Sequence, residues 1–167
     1  MNTGQVKALY PLTVAVQSLF HKMGAAVTAL HKDTGISGGM RAVLESLTNR
    51  GPQTVPQMAR VRPVSRQHIQ GLVNDLLDLG LVEYTDNPAH RRSKLVRTTE
   101  LGGQTYTSLR QRESEAFAHL PLEIVPDDLV AANRVLSKLV DAFQGTEWHA
   151  IATEFLTNRK EPCDDRK

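Results

Sequence analysis

A chain of 167 residues, 40% hydrophobic and 23% charged, is long enough to bury a real core and too mixed in composition for a disordered or fibrous protein. Its single cysteine, Cys163, excludes an internal disulfide, and no apolar run approaches the roughly 20 residues of a membrane span. The net charge of +2 conceals a division: residues 50–112 hold ten Lys and Arg against five Asp and Glu, whereas residues 113–157 hold two against eight. Basic charge gathered in one segment points to a polyanion as partner.

The first predicted element is a long helix over residues 6–31, with Leu9, Val16, Leu19, Met23, Val27 and Leu30 at mostly helical intervals and a bend or restart expected at Pro11. It carries more apolar surface than one small domain covers, so part of it is expected to meet a second copy of the chain. Pro11, Thr13, Gln17 and Ser18 interrupt this start and Lys7 alone gives it charge, which does not read as a secretory signal; the expected compartment is the cytoplasm.

Gly35, Gly38 and Gly39 mark a turn, and residues 40–50 form a second helix with Val43, Leu44 and Leu47 inward, ended by Gly51 and Pro52. Residues 53–55 are expected to add a short strand. Residues 55–61 read as a short helix packing through Met58, Ala59 and Val61, with Arg60 and Arg62 beside it as solvated charges or phosphate contacts.

Residues 65–80 are helical in period. Ile69, Leu72, Val73, Leu76 and Leu77 share one face, and Gln67, Gly71, Asn74 and Asp78 are left on the other. Ser65 stands where an N-cap is wanted and Gly80 where a C-terminal stop is expected. Residues 81–85 and 95–99 then read as two short strands joined by DNPAHRRSK, whose Asn87 and Pro88 turn the chain and whose Arg91, Arg92 and Lys94 make a cationic tip. A helix with a free polar face followed by a basic hairpin is a winged helix, the helix suited to a major groove and the tip to phosphates or the minor groove.

Thr99 caps a further helix reaching about Leu120, helped by Glu100, with Gly102 and Gly103 loosening its first turn into a flexible junction. Pro121 and Pro126 interrupt the chain. Asp127 or Asp128 opens another helix bearing Leu129, Ala132, Leu136, Leu139 and Phe143 on one side, and residues 146–157 give a short amphipathic helix, expected to pack on the stem, before a charged, disordered tail.

The runs GISGGMRAVLESL, QTVPQMARV and VSRQHIQGLVNDLLDLGLVEYTDNPAHRRSKLVRTTELG together resemble the MarR family of bacterial winged-helix transcriptional regulators. The resemblance implies a dimeric DNA-binding repressor or activator, commonly released by small phenolic or other ligands, with interlocked N- and C-terminal helices. His90 stands where the family commonly has an acidic residue before the wing Arg pair, leaving Asp86 to face Arg91 or Arg92, and Pro63 replaces an expected glycine.

Six histidines offer no pair at the spacing of two helical metal ligands, no GxSxG turn singles out a nucleophile, and GISGG lacks the Lys and Ser or Thr of a phosphate loop. Neither enzyme activity, metal nor cofactor is therefore expected. The expected protein is mainly α with a small β-hairpin wing: a helical dimerisation region over 1–34 and 113–145, a winged helix-turn-helix over 35–112, and a C-terminal helix and tail over 146–167. Its expected partners are double-stranded DNA, a second copy and a small aromatic or phenolic effector, with no membrane. The expected DNA-contacting residues are Ser65, Arg66, Gln67, Gln70, Asn74, His90, Arg91, Arg92 and Lys94. The competing reading is a winged-helix module that binds protein rather than specific DNA.

Overall fold

The computed structural model describes residues 2–61, 64–90 and 92–158. Residues up to Leu120 form one compact unit and those from Pro121 a second. In the first unit the elements run α1 (Thr3–Leu30), α2 (Gly38–Arg50), α3 (Val55–Val61), α4 (Arg66–Asp78), β1 (Val82–Thr85), β2 (Leu95–Thr98) and α5 (Glu100–Ala118). This is the mainly helical, winged arrangement that the periodicity implies.

The core is built from α2 to α5. Met40, Val43, Leu44 and Leu47 of α2 meet Met58 and Ala59 of α3, Ile69, Val73 and Leu76 of α4, Val82 and Val96 of the hairpin, and Tyr106 and Leu109 of α5. Each fully buried aliphatic of this set contributes about 1.5–3 kcal/mol of transfer free energy, which is why α4 is held by one face only. Val61, expected to pack inward, is 44% exposed, because α3 ends its single buried stripe at Ala59.

Helix α4 begins at Ser65, whose hydroxyl accepts the His68 N–H at 3.1 Å. It ends with Gly80 at φ +67°, where Gly80 N–H reaches the Leu77 carbonyl and Leu81 N–H the Leu76 carbonyl, a Schellman closure that needs a left-handed residue. The chain leaves that turn as β1. Strands β1 and β2 pair antiparallel with Val82 opposite Thr98, Glu83 opposite Arg97, Tyr84 opposite Val96 and Thr85 opposite Leu95. The strand expected over residues 53–55 is reduced to one bridge, Gln53 to Val96, because α3 already starts at Val55 and the Thr54 N–H donates to the Gln57 side chain at 2.7 Å.

Two other expectations need correction. Helix α1 runs unbroken through Pro11 from a capping box formed by Asn2 and Gln5, so the chain does not restart there; the carbonyl deprived of its donor lies on an exposed helix where water can serve it. Gly102 is not a loosening element: a Cβ there would stand 1.9 Å from the Leu81 carbonyl oxygen, so glycine lets α5 press against the end of α4. The Thr99 hydroxyl fastens the same junction, donating to the Gly80 carbonyl at 2.8 Å and accepting the Gly102 N–H at 3.0 Å.

The second unit contains α6 (Pro126–Gln144) and α7 (Thr146–Asn158). Pro126 itself occupies the first turn of α6, and Asp127 and Asp128 follow it near the positive helix end rather than opening the helix. Phe143 and Trp148 meet edge to face with ring centroids 4.8 Å apart, joining α6 to α7. Among the described residues no helix is long and apolar enough to cross a membrane.

Candidate nucleic-acid interface

With Ile69, Val73 and Leu76 buried, α4 turns Ser65, Arg66, Gln67, Gly71 and Asn74 to solvent. Gln70 lies between the two faces and is half-buried. Ser65 accepts one N–H at the helix cap and retains its hydroxyl hydrogen as a donor at the positive end of the helix, where an anion is favoured.

The hairpin tip is shaped by its backbone. The Asn87 side chain accepts the Ala89 N–H at 3.1 Å, His90 N–H reaches the Asn87 carbonyl at 3.1 Å, and Ser93 N–H reaches the His90 carbonyl at 3.0 Å. His90, Arg92 and Lys94 are exposed on this tip. Arg91, Arg62, Pro63 and Cys163 lie outside the described residues. The strand pair carries its ion pair at Glu83 and Arg97, 2.7 Å apart, and among the described residues Asp86 makes no ion pair with Arg92. The tip cations that are described therefore stay available to an outside anion.

The α4 amides and the hairpin are linked through a residue that residue type alone did not single out. Gln70 Nε2 donates to Asn74 Oδ1 at 2.9 Å and to the Tyr84 hydroxyl of β1 at 2.8 Å. The strand alternation could have found it, since Tyr84 shares the face of buried Val82 and so points toward α4.

Behind this surface a cluster of charges, also unforeseen, joins three helices. Glu113 of α5 is 6% exposed and accepts from His31, 2% exposed, through Nε2 at 2.9 Å. Arg41 of α2 grips both oxygens of the same carboxylate, with Nη2 at 2.6 Å from Oε2, and reaches Glu45 Oε2 at 3.3 Å. Burial pushes the Glu113 carboxyl up, but the hydrogen bonds from Arg41 and His31 outweigh it and hold the group below the usual carboxylate range. Arg112 and Asp33 add a two-pronged pair at 2.8 and 2.7 Å at the surface.

Next to this cluster lies a cavity of about 710 Å³. Phe20, Val27, Leu72 and Phe117 supply apolar walls from α1, α4 and α5, and Arg41, Glu45, His68 and Glu113 supply its polar groups. Among the described residues there is no group of three or more His, Cys, Asp or Glu side chains placed to hold a metal ion.

Residues 35–93 match the model of the MarR family. An uncharacterised protein of Mycobacterium tuberculosis, Rv2011c, is 35% identical over 91 residues, which are 54% of this chain and 64% of that protein; the chain thus spans less than two thirds of that relative. Among solved structures, the MarR family transcription regulator SP03579 superposes with a TM-score of 0.70 at 28% identity, over 84% of this chain and 93% of that one. BpsR of Bordetella bronchiseptica, whose DNA binding is regulated by 6-hydroxynicotinic acid, superposes with a TM-score of 0.65 at 18% identity, over 77% and 92%, a likeness of fold. The match over residues 35–93, together with the winged-helix fold of the first unit, makes this part of the chain similar to the MarR family, whose proteins are transcription regulators and not enzymes.

Proposed function

We propose that the chain is a cytoplasmic, homodimeric DNA-binding repressor of transcription that reads a pseudo-palindromic operator and responds to a small aromatic or phenolic molecule. One observation carries the DNA reading: α4 is buried on one face and offers Arg66, Gln67 and Asn74 on the other, beside a hairpin tip bearing exposed Arg92 and Lys94. A helix of that kind fits a major groove, and the tip cations fit the flanking phosphates. The dimer is supported by α1, which buries no residue over 28 positions and leaves Tyr10 and Phe20 each 74% exposed. Two copies would present two α4 helices to successive turns of a duplex.

The cavity supports the ligand response, as does the regulation of BpsR by 6-hydroxynicotinic acid. Arg41 gives three of its five N–H groups to Glu113 and Glu45, whose two carboxylates outweigh its single charge, so a carboxylate entering the cavity meets no excess of positive charge and a neutral phenol suits the lining better. Such a molecule acts by binding one spacing of the two reading heads better than the other.

A titration of duplex DNA at several salt concentrations tests the central reading. Released counterions make affinity fall steeply with salt for a protein that neutralises phosphates. A flat salt dependence, with no duplex preferred over another, would instead support the protein-binding module.

A further inference from the structure

Tyr84 acts on what the reading helix can say to a base. An amide nitrogen has two hydrogens, and both of those on Gln70 Nε2 are taken, one by Asn74 Oδ1 at 2.9 Å and one by the Tyr84 hydroxyl at 2.8 Å. Gln70 is therefore left with its Oε1 acceptor alone to offer a base. Asn74, whose Oδ1 accepts from Gln70, keeps its Nδ2 donors, while Tyr84, having accepted, keeps its own hydroxyl hydrogen to give.

We infer that Tyr84 is a specificity-determining positioning residue, which converts Gln70 from a two-bond reader of adenine into a one-bond reader of any base with a major-groove amino group. A free glutamine pairs with adenine by accepting from N6 and donating to N7. Held by Tyr84 and Asn74, Gln70 can only accept, and both adenine N6 and cytosine N4 offer the hydrogen it needs. The position it faces thus takes adenine or cytosine and rejects guanine and thymine, whose groups there are acceptors. Asn74 Nδ2, one helical turn along on the same side of α4, donates to N7, O6 or O4 of a neighbouring pair. This rests on the proposal that α4 enters a major groove.

The test uses the full-length protein and duplexes selected by it from a randomised pool. The position read by Gln70 is the one whose preference disappears in the Gln70→Ala protein. At that position the wild-type protein should bind adenine and cytosine within about threefold of each other, and replacing the adenine by 7-deazaadenine, which lacks N7, should leave affinity unchanged. Tyr84→Phe keeps the ring and frees one Gln70 hydrogen. It should then favour adenine over cytosine by about tenfold, within the range for a bidentate pair, and should become sensitive to 7-deazaadenine. Thermal unfolding of Tyr84→Phe, unchanged from wild type, separates this from a general loss of structure. If wild type already loses affinity with 7-deazaadenine, or if Tyr84→Phe keeps the wild-type base profile, the role of Tyr84 is overturned while DNA reading stands. If the wild-type protein enriches no sequence at all, the proposed function fails first and takes this inference with it.

Discussion

His31, directly after α1, and Glu113, in α5, meet in the interior at 2.9 Å although 82 residues separate them in the chain. Arg41 of α2 completes the contact, so the end of the long N-terminal helix, the support of the reading head and α5 are tied at one carboxylate. A buried pair of this kind adds little over a well-packed apolar one, but losing one member leaves the rest uncompensated.

Glu113→Gln should therefore destabilise the protein at neutral pH by about 2 kcal/mol, below the usual cost for a fully buried pair because Arg41 is partly exposed and keeps Glu45. The pH dependence follows from the lowered carboxyl pKa. As pH falls the unfolded chain takes up its proton first, so the contribution of Glu113 is complete above the ordinary carboxylate range and is lost as pH drops through the folded value. Arg41 and His31 face this carboxyl, Glu45 and Tyr106 face Arg41 in turn, none of the four is replaced in the variant, and exposed Asp33, held down by Arg112, shifts in the same direction in both proteins. Urea unfolding between about pH 7 and 3 should show a shallower acid limb for Glu113→Gln than for wild type; equal limbs would assign the acid sensitivity elsewhere.

Neighbouring glycines should respond in opposite directions. Gly102→Ala places a methyl 1.9 Å from the Leu81 carbonyl oxygen, a backbone atom that cannot swing away, and should cost about 3 kcal/mol, the upper end for overpacking. Gly103→Ala meets nothing within 4 Å and should gain roughly 0.8 kcal/mol from helix propensity. Denaturant midpoints of the two variants check both signs.

That contrast marks how far the sequence is legible. The boundaries of α4 were readable because they are local: Ser65 caps its own helix and Gly80 supplies its own left-handed turn. The hairpin followed from short β-forming runs around Asn87 and Pro88. Gly102 looked like a weak point because only the folded chain brings the Leu81 carbonyl against it, and the lone His31 looked incidental because its partner is 82 positions away. The site was legible as a set of residue types on one face of a helix and one loop. The hydrogen bonds that fix the donors of Gln70 depend on the register of β1 beside α4, which composition does not encode.

The tip and the helix should separate affinity from choice. Arg92→Ala and Lys94→Ala each remove a cation from an exposed turn, so all duplexes should weaken together and the salt slope should flatten by roughly one unit per lost phosphate contact. Gln67→Ala, on the free face of α4, should instead change the order of preference among selected duplexes with the slope kept. Binding isotherms at three salt concentrations distinguish the two; a wing substitution that reorders sequence preference would reverse the roles.

Dimer formation should fail when the exposed stripe of α1 is made charged. Leu19 and Phe20 are 54% and 74% exposed within one copy, so replacing both with Glu removes no core contact. The double variant should keep its fold and sediment as a monomer, and its affinity for a two-half-site duplex should drop toward that for a single half-site, since the second contact is no longer tethered. A stable dimer in that variant would move the interface off this part of α1.

The cavity can be closed from α1 without disturbing the reading head. Gly24 lines it, and a Cβ at that position meets no atom within 4 Å, so Gly24→Leu has room to project into the space otherwise left to a ligand. Leucine is also the better helix former, which offsets any loss and should leave stability equal or raised by up to about 0.8 kcal/mol. Operator binding without ligand should stay within twofold of wild type, because α4 and the hairpin tip are untouched. The difference should appear in a panel of phenols, aromatic acids and aromatic amines: compounds that weaken operator binding by the wild-type protein should lose their effect on Gly24→Leu, with phenols the most active class on wild type because Glu113 and Glu45 already balance the charge of Arg41. An effector that acts equally on both proteins would place its site outside this cavity, and a panel in which acids alone are active would overturn the charge balance assigned to Arg41, Glu113 and Glu45.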